Sequence, residues 1–260
     1  WVSFRFTDYL CYKEGKTVSP VALALGEKIP LRVISFTENN QVLIVVRKED
    51  KFMARNVILD VDTGSDDACA IMLAALSEEL NVLGVCAVNG NRPLSDTLTN
   101  TLKIIELLKM EDKIPVVKGA AQPLVRDLLA GRNKNPKTAE IQLDENGEEI
   151  CYHPKKFNLP EPVLKPVDEN FVTWYINTIK NSPEKVTIVP VGPLTNIAIV
   201  LRAEPSLVDN IEEIVIMGGG HDVRNSTAAA EFNIWKDPEA AEIVLNSGAK
   251  ITLVPLDATH

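Results

Sequence analysis

From Asn56 onward, short apolar runs and amphipathic stretches alternate along the chain. Runs rich in Val, Ile and Leu occupy 57–61, 82–88, 114–117, 186–191, 214–217 and 251–256. Several are nearly continuous, as strands buried on both faces should be. Between most of them the apolar positions recur at helical spacing. The stretches are 68–77, rich in alanine, then 97–110 with Leu98, Ile104, Ile105, Leu107 and Leu108, then 171–180 and 237–246. This alternation predicts an α/β fold: a doubly wound, mostly parallel, Rossmann-like open sheet with helices on both faces. Ligands bind such a sheet beyond the carboxyl ends of its strands, so the residues after each apolar run are the ones to inspect.

Two regions break the rhythm. Residues 131–168 are polar and carry five prolines, which reads as a surface excursion, with a flap over the site as the other reading. In residues 1–52, the runs 31–36 and 41–46 flank Thr37-Glu-Asn-Asn and predict a β-hairpin. The charged run 47–51 follows as a linker. The expected organisation is an N-terminal extension over 1–52, without evident chemistry, and an α/β domain over 53–260.

A net charge of −9 argues against nucleic acid or an anionic membrane as a partner, and suits a cation or a neutral small molecule. No apolar run approaches the roughly 20 residues of a membrane span. Cys11, Cys69, Cys86 and Cys151 show no metal or redox spacing; Cys69 and Cys86 lie in apolar stretches and read as small buried residues. The chain opens Trp1-Val-Ser, with neither an initiator methionine nor a signal peptide. It is therefore expected to be part of something longer, with a cytoplasmic location as the default.

The first run of the α/β domain leads into Asp60-Val-Asp62-Thr-Gly-Ser-Asp66-Asp67, four carboxylates in eight residues. Acids at a helix start are favoured by the helix dipole and by capping, which covers Asp66 or Asp67. That leaves Asp60 and Asp62, two apart and so on one side of the strand. Four converging negative charges predict a cation among them, and an all-oxygen set selects a hard ion. Glycines follow the later runs at Gly90-Asn91, Gly192-Pro-Leu-Thr-Asn196 and Met217-Gly-Gly-Gly220. The amide-rich stretch Asn225 to Asp237, with Glu231 and Asn233, suits a polyhydroxyl ligand; Asp237-Pro238 reads as a helix cap and first turn.

Taken in order, these segments resemble the inosine–uridine-preferring nucleoside hydrolase family over about Asn56 to His260. The resemblance implies a calcium-dependent enzyme of nucleoside salvage that hydrolyses the N-glycosidic bond of ribonucleosides to base and ribose. It implies that Asp62 and Asp67 hold Ca2+ through their carboxylates and Val191 through its carbonyl, with Asp62 also the general base. Asp66, Asn91, Asn225, Glu231 and Asn233 would grip the ribose hydroxyls, and Asp60 would support the metal site from behind. A homo-oligomer binding a small nucleoside is expected, with base preference not legible. The family's later His-Asp pair lies beyond Leu256-Asp257-Ala-Thr-His260, so the sheet is expected to be C-terminally incomplete. A His-Gly-rich stretch of the family appears here as Cys151-Tyr-His153-Pro, and His153 reads as a surface histidine.

Two rivals share these residues. Asp60-Val-Asp62-Thr63 alone also fits a haloacid-dehalogenase-like, Mg2+-dependent phosphohydrolase with Asp60 as nucleophile. A non-catalytic nucleoside- or ribose-binding domain is the other.

Overall fold

A computed structural model describes residues 54–128 and 153–259, together with four two-residue strands nearer the N-terminus. The chain divides into two units, Trp1–Phe52 and Met53–His260. In the first, β1 (Tyr12–Lys13) pairs antiparallel with β2 (Lys16–Thr17), and β3 (Ser35–Phe36) with β4 (Val42–Leu43). The second pair lies in the two runs flanking Thr37-Glu-Asn-Asn. The turn itself, the linker 47–51, Cys11, Cys151, His260 and 129–152 of the proline-rich region lie outside the described residues.

Among its described residues the second unit carries six strands: β5 (Arg55–Val61), β6 (Leu80–Ala87), β7 (Val116–Lys118), β8 (Val186–Pro190), β9 (Ile211–Met217) and β10 (Ile251–Val254). They form one sheet in the order β10-β9-β8-β5-β6-β7, with every neighbouring pair parallel. From β5 the chain winds outward through β6 to β7, then returns to β8 on the other side of β5 and winds outward again. The winding reverses between β5 and β8, the place where sheets of this kind take their ligands, beyond the strand ends.

Six of the helices belong to the windings: α1 (Ser65–Leu76), α2 (Leu94–Leu107), α3 (Phe171–Asn181), α4 (Thr195–Ala203), α5 (Phe232–Lys236) and α6 (Pro238–Leu245). The two-residue period of β5 sorts its side chains between two cores. Val57, Leu59 and Val61 pack with Ala68 and Ile71 of α1 and with Leu102 and Ile105 of α2. Ile58 packs with Tyr175 and Ile179 of α3, Ile197 and Leu201 of α4, and Val244 of α6. Asp60 and Asp62 fall on the second, even-numbered side.

Three expectations are corrected. The run 251–256 is a strand only to Val254, because Pro255 ends the ladder and Leu256 opens a short helix, α7 (Leu256–Thr259). Helix α1 begins at Ser65 rather than 68, since Gly64 is its N-cap and the acids occupy its first turn. Cys86 is buried but Cys69 is exposed. With Ala68, Ile71 and Ala74 facing the sheet, the neighbouring position 69 is carried round to the outside.

Candidate active site

The end of β5 divides its aspartates. Asp60 is fully buried and its Oδ2 accepts hydrogen bonds from Tyr175 Oη at 2.7 Å and Asn196 Nδ2 at 2.9 Å. Burial pushes its carboxyl up to about 7, against the pull of those two donors. Asp60 is thus tied through Oδ2 to α3 and α4 behind the strand end, its Oδ1 buried without a hydrogen-bond partner. The expected convergence of four carboxylates is corrected to two buried ones in front, Asp62 and Asp67, with Asp66 exposed.

Asp62 sits between two glycine turns. Its Oδ2 accepts from Asn91 N at 2.7 Å. A methyl group at Gly90 would fall 2.0 Å from that oxygen, and one at Gly192 would fall 2.9 Å from Oδ1. Both loops need glycine to close on this carboxylate. Asp67 Oδ2 accepts from Gly64 N at 3.0 Å, completing the cap of α1, while its Oδ1 is buried with no hydrogen-bond partner. Burial, then the charges of Asp62 and Asp66, hold Asp67 well above the usual carboxylate range. Burial also pushes Asp62 up to about 7, with Asp66 and Glu231 adding to the effect. An orphaned carboxylate oxygen among like charges is a seat suited to a hard cation. Among the described residues no three His, Cys, Asp or Glu side chains converge to hold an ion by themselves; Asp62 and Asp67 offer two carboxylates.

The ends of β8 and β9 close the other side. Val191 N donates to the Asp60 carbonyl at 2.8 Å. The Val191 carbonyl, expected to face an ion, accepts from Asn233 Nδ2 at 2.8 Å, and the same amide donates to the Met217 carbonyl at 3.1 Å. Glu231 is buried and caps α5. Its oxygens accept from Asn233 N at 2.9 Å, from Gly219 N at 3.1 Å and from Ile234 N at 3.2 Å. Asn225 Oδ1 accepts from Phe232 N at 2.8 Å. The structure therefore gathers Asp62, Asp67, Asn91, Val191, Glu231 and Asn233 at neighbouring strand ends, with Asp66 and Asn225 exposed near them.

Sequence reasoning missed several partners. Tyr175 gave no signal, being distant in sequence from Asp60. Asn196 lay in a quoted motif, yet its service to Asp60 and to Ala120 N, at 2.7 Å, depends on how the strand ends meet. His153 is corrected from a surface residue: its ring is half-buried against Gly64, with Nδ1 3.8 Å from Asp66 Oδ1. Burial lowers its pKa. Its carbonyl accepts from Arg92 Nε at 2.8 Å, which ties the segment after 152 to the loop following β6. Asp237 caps α6 as expected, with Oδ1 accepting from Ala240 N at 3.1 Å.

Comparison with known proteins gives a consistent set. Residues 57–260 match the family described as inosine-uridine preferring nucleoside hydrolase. A pyrimidine-specific ribonucleoside hydrolase of Shewanella sp. (strain MR-4) is 45% identical over 208 residues, covering 80% of this chain and 61% of that protein. One from Salmonella arizonae is 43% identical, covering 80% and 62%. Among solved structures, a plant nucleoside hydrolase superposes with a TM-score of 0.64 at 34% identity, covering 78% of this chain and 60% of that one. A purine-preferring ribonucleoside hydrolase from Gardnerella vaginalis gives 0.63 at 30%, covering 78% and 61%. The chain thus spans about three fifths of the length of these relatives.

Proposed function

The chain belongs to the inosine-uridine preferring nucleoside hydrolase family, and from that premise we propose that its crevice hydrolyses the N-glycosidic bond of ribonucleosides with the help of Ca2+. The observation that carries this reading is the Asp62–Asp67 pair: two buried carboxylates of raised pKa, one with an unpartnered oxygen, at the switch point of the sheet. A divalent cation held there supplies a more acidic water and a seat for vicinal hydroxyls.

The chain's own residues do the rest. Asp62, fixed by Asn91 N, takes a proton from the attacking water. The water oxygen joins the anomeric carbon and the carbon–nitrogen bond breaks with its electron pair going to the base nitrogen, which takes up a proton from solvent while Asp62 releases the water proton back to solvent. The transition state resembles an oxocarbenium ion, so the acids around Asp62 stabilise the charge growing on the sugar. Asp66, Asn91, Asn225, Glu231 and Asn233 hold the ribose hydroxyls, and Asp60 braces Asp62 through the strand. The Val191 carbonyl, which accepts from the Asn233 amide here, would be a further oxygen ligand for the ion. Relatives named pyrimidine-specific make uridine and cytidine the first substrates to assay, with inosine as contrast.

The phosphohydrolase alternative needs Asp60 to reach a phosphoryl group. Asp60 is fully buried behind Tyr175 and Asn196, so that reading loses its nucleophile. The test is a paired assay: ribose release from nucleosides with Ca2+, and phosphate release from nucleotides and sugar phosphates with Mg2+. Ribose release abolished by chelator, and weak on 2′-deoxyribonucleosides, is expected. Phosphate release in its place, or equal kcat/KM on ribo- and deoxyribonucleosides, contradicts the reading.

A further inference from the structure

The loop between β9 and α5 carries both Asn225 and Glu231, and something must hold it to the sheet. Glu231 ties its start by accepting from Gly219 N. From Ser226 onward the loop closes on itself, with Ser226 N and Thr227 N donating to the Ala230 carbonyl. The stretch between these ties, His221 to Arg224, is gripped from outside by one side chain. Asp257, in the first turn of α7, points its carboxylate at three successive amides. Oδ2 accepts from His221 N at 2.7 Å, and Oδ1 from Asp222 N at 2.8 Å and Val223 N at 3.1 Å. These bonds hold its carboxyl down at about 2, so it is ionised at any working pH. The turn is closed from its carbonyl side as well, by Arg224, which donates to the carbonyls of His221 and Asp222. Gly220 is required at its entry, since a methyl group there would lie 2.0 Å from the Val223 carbonyl oxygen.

We infer that Asp257 is a positioning residue for sugar recognition: its carboxylate, clasping the amides of His221, Asp222 and Val223, sets the turn that delivers Asn225 to the crevice. The role extends the proposed function and rests on Asn225 being a ribose contact. Asp257 touches no substrate. It acts through the backbone, so its loss frees a turn next to the sugar and leaves Asp62 and Asp67 untouched. Three charge-assisted bonds to one exposed carboxylate are a geometry a single substitution removes without opening the core.

The experiment compares Asp257→Ala and Asp257→Asn with the wild type in the full chain. Amide exchange is read at 221–225, and kcat and KM are read separately on uridine or whichever ribonucleoside is hydrolysed. Exchange at 221–223 should rise at least about tenfold in Asp257→Ala, and KM should rise about tenfold with kcat changed far less. Asp257→Asn keeps one acceptor oxygen and should fall between. Unchanged exchange in Asp257→Ala shows that the clasp does not hold the turn and overturns the inference. Faster exchange with unaltered KM in an active enzyme also overturns it, leaving the proposed function standing. A wild type that releases no ribose removes both together. Melting curves guard against a KM change caused by general unfolding.

Discussion

Asp60 and Asp62 stand two positions apart on one strand, yet one serves the protein and the other faces the crevice. The difference lies in what meets them. Tyr175 Oη and Asn196 Nδ2 both donate to Asp60 Oδ2 from α3 and α4, whereas Asp62 meets a backbone amide and two glycines. Replacing Tyr175 with Phe leaves a buried carboxylate short of a donor. The expected cost is about 1–3 kcal/mol, read as a lower urea midpoint at unchanged slope. An unaltered midpoint shows that the Asn196 donor alone is enough to hold Asp60 Oδ2. The aspartates themselves were legible, because four acids within eight residues after an apolar run announce themselves locally. Tyr175 was not: it is 115 positions from Asp60 and looks like any aromatic residue on a helix. The same reason hid the splitting of the cluster, since repulsion among four acids is local arithmetic but the donors that relieve it are remote.

At the level of elements, α2 does more than cover the sheet. Asn100 and Lys103 are both buried, three positions apart and so on one face of the helix. Asn100 Oδ1 accepts from Phe157 N at 3.1 Å, and its Nδ2 donates to the Pro154 carbonyl at 3.3 Å. Lys103 Nζ donates to the carbonyls of Phe157 and Leu159, each at 3.0 Å. Together they strap residues 153–159 along α2 and bring His153 against Gly64. Lys103→Met should leave two carbonyls unpaired, lowering stability by about 1–3 kcal/mol. It should also speed amide exchange at Phe157 and Leu159. If exchange there matches the wild type, the strap is held by its apolar contacts instead. The sequence showed this region only as polar and proline-rich, and the described part is neither a free excursion nor a disordered tether. Lys103 pairs with two carbonyls and, at 3.4 Å, with Glu161 58 positions away, so it leaves no local charge pattern to read. The strands and the larger helices were legible because period and apolar content are properties of the segment itself. Helices α4, α5 and α7 escaped: α5 and α7 are too short to show a period, and α4 has no side-chain cap to mark its start.

For the whole molecule, the winding order puts carboxylates at the switch point and leaves them uncompensated. Asp60 and Asp62 both titrate near 7 in the fold, against an ordinary value of 3.8. The folded chain therefore holds protons that the unfolded chain has already released between about pH 4 and pH 7. The stabilisation these two groups give the metal-free protein is fully present below that window and is lost as pH rises through it. In chelator, the melting midpoint is expected to drop from about pH 5 to about pH 8. Added Ca2+ should raise it, and more at the higher pH, where the carboxylates are ionised and free to bind. A Ca2+ effect that is absent, or equal at both pH values, contradicts a site built from Asp62 and Asp67. No helix among the described residues is long and apolar enough to cross a membrane.

The central claim is that Asp62 activates the water that cleaves a ribonucleoside. It is tested most directly by initial rates of ribose release from uridine, at saturating Ca2+ and substrate, for the wild type and Asp62→Asn. The substitution keeps the shape of the side chain and its acceptor oxygen for Asn91 N, but removes the proton acceptor. The account predicts a fall in kcat of about 10²–10⁴ or more, with the folded structure retained. A variant whose kcat stays within about threefold of the wild type contradicts it, because general base catalysis cannot be lost so cheaply.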